Sequence, residues 1–198
     1  MPSAMTHPPL RTLLWISASL LLWAPPADGD AQEAASHADP RVADAMRLIE
    51  SDDPYQQLLG FLRLEALREP GTADLIRPYL DSRDPELRAH TVRALAAIEG
   101  PAAVPVLLKT LDEDPHPRVR RAVLLGLEPL QPHHPQILPA FIAALRDRKP
   151  EVRMTAVDVV SRVDDPRARE AILVRNKRER DRNVQRALSL AMKRLGGS

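Results

Sequence analysis

At 198 residues the chain has room for one domain and little more. Its formal charge of +1 gives no electrostatic case for a nucleic-acid partner. With no cysteine, disulfides, iron–sulfur clusters, thiol chemistry and a lipoprotein-type anchor are excluded.

The first element in the chain is a targeting signal. Arg11 precedes the apolar run Leu13–Ala24, which gives way to prolines and then to Ala27-Asp28-Gly29. A basic flank, a short apolar stretch and a small-residue exit predict a secretory signal peptide over residues 1–29, with the mature chain starting near Asp30. The run is shorter than the about 20 residues that a membrane-spanning helix needs; an uncleaved anchor is the alternative. A periplasmic or secreted location follows. Residues 30–39 are small and polar without an apolar period, and are expected to form a flexible lead-in to a folded domain over 40–198.

From residue 40 onward, apolar residues fall into pairs of short amphipathic stretches. The first pair is Val42 to Ile49 and Pro54 to Leu67, split by Ser51-Asp52-Asp53. In the second, Ala73 to Leu80 is followed, after Asp81-Ser82-Arg83-Asp84, by a helix that Pro85 opens. Leu87, Thr91, Val92, Leu95 and Ile98 share one stripe of that helix. Proline at a first helical position costs nothing, because its N–H would be unpaired there, and the aspartate before it is placed to cap. The third pair takes Val104 to Leu111 and Val119 to Leu130, and the fourth Ile137 to Leu145 and Val152 to Val163. Ala168 to Val174 and Val184 to Leu195 make the fifth. Aromatics are only 3% of the chain, so the core must be Leu, Val, Ile and Ala, which suits thin, closely packed helices.

The second helices open on one phrase: Asp84-Pro85-Glu86-Leu87-Arg88, His116-Pro117-Arg118-Val119-Arg120 and Lys149-Pro150-Glu151-Val152-Arg153. A worn copy reads Asp181-Arg182-Asn183-Val184-Gln185. Recurrence about every 32 residues marks a solenoid, in which each unit buries its apolar face only against its neighbours. The prediction is an all-α, right-handed solenoid of about five helix pairs, offering a long surface.

The Asp-Pro-x-Val-Arg phrase followed by an Ala/Val-rich helix resembles the short HEAT repeat, the variety also seen in HEAT-like phycobilin lyases. The resemblance covers about four fifths of the chain. It implies an armadillo-like superhelix in which Arg88, Arg120 and Arg153 form an inter-repeat ladder, the alternative being a ligand-binding row. Asp81, Asp112 and Asp147 sit at the turns and would supply the partners, for which a planar five-donor guanidinium is suited. The resemblance also implies a concave surface made from outward-facing positions of the second helices. Repeat offsets give rows of Glu86, Arg118, Glu151 and Asn183; of Ala89, Arg121, Met154 and Arg186; and of Arg93, Leu125, Asp158 and Leu190.

Interfaces favour arginine and methionine around apolar centres. Arg121, Leu125, Met154 and Arg186 are therefore the candidate partner-binding residues. Residues 166–194 carry ten lysines and arginines against three acids. That excess fits either a polar cap or a patch for envelope lipid or cell-wall polymer, and no aromatic is interleaved to stack bases. His116, His133 and His134 lack the ligand set a zinc site needs, and no cofactor is expected. There is no Gly-rich phosphate loop or nucleophile elbow. The expected function is an exported, non-enzymatic scaffold that binds a protein partner on its concave face and no nucleic acid. The alternatives are a peripheral envelope-surface binder and a HEAT-like lyase.

Overall fold

The computed structural model describes residues 39–69 and 71–196. The predicted signal peptide and nearly all of the lead-in lie outside the described residues. The unit from Pro40 onward is built of helix pairs. They are α1 (Pro40–Ile49) with α2 (Pro54–Leu67), α3 (Thr72–Ile76) with α4 (Pro85–Glu99), and α5 (Val104–Glu113) with α6 (Pro117–Leu127). α7 (Ile137–Ala144) with α8 (Pro150–Val160), and α9 (Pro166–Asn176) with α10 (Arg182–Gly196), complete the series.

Local chemistry sets the helix starts. Asp53, Asp84 and Asp165 each precede a first-position proline in extended backbone and accept from an N–H two residues on, at 2.9, 2.8 and 2.7 Å. His116 does the same for α6 through Nδ1 at 3.3 Å. Gly100 closes α4 at φ 54, where a side chain would be strained. The stretch Ala73 to Leu80 does not continue as one α-helix. Pro78 cannot donate a backbone bond, and the chain tightens to a 3-10 turn over Arg77–Asp81.

The second helices α2, α4, α6, α8 and α10 stack on one another, while the first helices pack chiefly on their own partners. The second helices thus form the tighter, inner layer. Phe141, Leu107, Leu124 and Leu127 are fully buried between the layers. The expected row of Ala89, Arg121, Met154 and Arg186 holds only in part, because Ala89 is buried. α4 is enclosed by α2 and α6, and small residues permit the approach: a Cβ on Gly126 of α6 would lie 3.1 Å from the Ala96 Cβ. α1 and α2 come closer still, since a Cβ on Gly60 would meet the Ala45 carbonyl oxygen at 2.6 Å. One core runs from α4 to α10, and a smaller one joins α1, α2 and α3 to the other side of α4.

Candidate functional site

A column of polar side chains runs through the stack at positions 57, 88, 120, 153 and 185. Gln57, Arg88, Arg120, Arg153 and Gln185 each donate back to the carbonyl six residues earlier, at 2.7, 2.8, 2.9, 3.0 and 2.9 Å. Those carbonyls belong to Ser51, Ser82, Asp114, Asp147 and Glu179. The side chains of these five residues in turn accept the N–H two residues on, at 3.1, 3.1, 2.8, 2.8 and 2.9 Å. One polar unit is thus repeated at every turn.

The arginines also reach forward into the next unit. Arg88 grips Asp114 through Nε and Nη2 at 2.7 and 3.0 Å, and Arg120 grips Asp147 at 2.7 and 2.8 Å. Arg153 holds both oxygens of Glu179 at 2.9 Å. These are paired bonds of the kind a guanidinium fork makes to the two oxygens of a carboxylate. The acids of the ladder are therefore Asp114, Asp147 and Glu179. Asp81 and Asp112 are exposed and stand outside it. The reason is reach: each arginine opens a second helix and points across the junction to the turn before the next one.

Glu179 is the most densely bonded of these acids. Burial alone would raise its carboxyl, but bonds from Arg153, Arg175 and the N–H groups of Arg180 and Asp181 hold it at about 2. Asp114 and Asp147 are likewise held below the usual range by Arg88 and Arg120, against the opposing effect of burial. Arg120 is 4% exposed. Buried charges that satisfy one another this fully are occupied, and the column holds the units in register.

The binding candidates fall on the inner layer. A groove of about 370 Å³ crosses α6, α8 and α10 and is lined by Arg121, Leu125, Met154, Asp158, Leu190 and Arg194, among others. Leu125, Met154 and Leu190 are 45%, 38% and 65% exposed. Arg121 donates to the Thr155 hydroxyl at 3.1 Å. Arg194 bonds Ser161 Oγ at 2.8 Å and lies 3.7 Å from Asp158. Arg186 is exposed one turn before Leu190 on α10, outside the lining of the groove. The structure thus brings Arg121, Leu125 and Met154 together and leaves Arg186 at the margin. Arg194 and Ser161 did not stand out in the sequence. The available signal was the i, i+4 step from Leu190 to Arg194.

A stack of paired helices joined by a repeated polar rung is an α-solenoid. The profile of HEAT repeats matches residues 42–128 and again 107–193, and the chain belongs to that family. Among solved structures, it is similar to a chain in the complex of CpcE and CpcF of phycocyanin lyase from Nostoc sp. PCC7120. That likeness has a TM-score of 0.65 at 20% identity and covers 77% of this chain and 98% of the other. No curated protein matches the chain. The likeness corrects the expectation that the protein is not an enzyme. That expectation rested on the repeat architecture and the lack of a catalytic motif, and the same fold occurs within a lyase.

Proposed function

We propose that this protein is a HEAT-repeat scaffold that docks a protein partner in the groove across α6, α8 and α10. The observation that carries the reading is the gathering of Leu125, Met154 and Leu190 in one groove, three exposed apolar side chains on three consecutive second helices. Isolated exposed apolar residues need no explanation, whereas a set gathered in one groove and flanked by arginines has the make-up of an interface centre. The solved relative, a complex of two proteins, lends support to a protein as the occupant. On the strength of residues 1–29 we place this binding in the periplasm or outside the cell. The ladder keeps the groove rigid, so that little conformational freedom is lost on docking.

A photoreactive residue at position 154, with a second at exposed Lys109 as control, tests the reading in cells. The expected result is a discrete protein adduct from 154 alone, lost when Arg121 or Leu125 is changed to Glu in an otherwise folded chain. The same adducts from both positions, or none from 154, would remove the groove as the docking site.

A further inference from the structure

The basic stretch around Arg178 reads in sequence as a run interrupted by acids, and the structure removes most of that interruption. Glu179 is turned inward and spent on Arg153 and Arg175. Asp181 caps α10 by accepting from the N–H groups of Asn183 and Val184 at 2.9 and 3.1 Å. Asp165 is taken by Arg167 at 2.7 Å. What faces outward from α9 is therefore more basic than the composition suggests. Arg169, Leu173 and Lys177 follow one another at i, i+4 spacing, and all three are exposed. Beside them run Glu170, Val174 and Arg178, also exposed.

This face continues onto the neighbouring first helix. Ile142, Leu145, Ala171 and Val174 floor a shallow groove of about 290 Å³ between α7 and α9, with Arg146 and Arg178 at its margin. Leu173 and Val174 are 48% and 38% exposed. Arg146, Arg169, Lys177 and Arg178 make no ion pair with any carboxylate among the described residues, and Glu170 is the acid left on the surface they frame. This is the opposite layer from the docking groove, because α7 and α9 are first helices.

We propose that the outer face of α7 and α9 is a contact surface for an anionic membrane, with Arg146, Arg169, Lys177 and Arg178 over the headgroups and Leu173 and Val174 at the acyl boundary. Unneutralised cations around exposed aliphatic side chains match a surface that is anionic outside and apolar just beneath. A nucleic acid would offer the same charge, but it makes no use of a central aliphatic pair, and this face presents no aromatic ring for bases. The contact is peripheral and reversible, with each cation raising the partition to anionic lipid by roughly fivefold.

The absence of cysteine makes the test direct, since Leu173→Cys accepts a single polarity-sensitive dye in the full chain. A probe there reports this face whatever residues 13–24 do, and Lys109→Cys gives the control. The expected result is a blue shift at 173, absent at 109, with vesicles of phosphatidylglycerol and phosphatidylcholine. The shift should be lost with phosphatidylcholine alone, fade with added salt, and fall more than tenfold in Lys177→Glu/Arg178→Glu. An equal shift on neutral vesicles would reduce the face to a hydrophobic patch. No shift on anionic vesicles, or one reproduced by a single-stranded oligonucleotide, would overturn the assignment to lipid.

Discussion

Gln57 and Ser82 stand at the first junction of the stack in the places that Arg88 and Asp114 hold at the second. Gln57 keeps the backward bond to the Ser51 carbonyl, and Ser82 keeps its bond to the Asp84 N–H. The forward ion pair is absent at that junction, and cation and carboxylate have changed together. What crosses instead is Arg93 to Glu65 at 3.4 Å, a looser contact that leaves Glu65 Oε1 without a partner. The polar ladder is therefore weakest at the first junction. Amide exchange should be faster throughout α1 and α2 than in α6 and α8. Gln57→Arg combined with Ser82→Asp should slow exchange in α1 and α2 and add roughly 1 kcal/mol in urea denaturation, with neither single change doing so.

Removing a central rung should be costly. Arg120→Ala leaves Asp147 in a half-closed site without its guanidinium, and a loss of about 3 kcal/mol is expected in urea denaturation. Arg120→Lys should recover only part, because an ammonium cannot make the two parallel bonds. By contrast, Arg162→Ala, which breaks surface pairs to Glu128 and Asp158, should cost less than about 1 kcal/mol.

Acid should loosen the stack through Glu179. In the unfolded chain its carboxyl titrates near 4.5, and in the folded chain at about 2. The unfolded state thus takes up the proton first. The stability this group contributes is whole above about pH 4.5 and drains away as pH falls toward 2. Urea midpoints for the protein and for Glu179→Gln should differ by a constant amount near neutrality and converge across that window. A difference that does not narrow there would mean that Glu179 is not held as described.

Close approach at Gly60 gives a backbone test. Gly60→Ala would set a methyl 2.6 Å from the Ala45 carbonyl oxygen and from Ile49 Cγ1, so α1 must move. A loss of about 1–3 kcal/mol is expected despite the better helix propensity of alanine. Gly126→Ala, whose nearest contact would be the Ala96 Cβ at 3.1 Å, should be milder. Thermal unfolding of the two variants side by side would show the order.

The helix pairs and the arginine column were legible because both are periodic and proline opens the second helices α2, α4, α6 and α8. Of the ladder's acids Asp147 was legible, whereas Asp114 and Glu179 were not. Asp81 and Asp112 stand out near the turns, but the partner is set by geometry across a junction, two residues before each helix cap. That position is Ser51, Ser82, Asp114, Asp147 and Glu179, a column whose changing chemistry hides its constant place. Glu179 was masked further by the arginines around it. In the groove, Arg121, Leu125 and Met154 followed from repeat offsets. Burial of Ala89 did not, because it depends on how closely α4 meets its neighbours.

Each rung takes its cation from one unit and its carboxylate from the next, so the repeats have a built-in order. Copying a stretch such as 88–119 in tandem would match every new guanidinium with a waiting acid. Excising the second unit would instead set Gln57 against Asp114, whose side chain is 7% exposed, and strand that carboxylate. An array wired in this way can lengthen by duplication of its middle, while the same wiring penalises loss or reshuffling of units near its amino end.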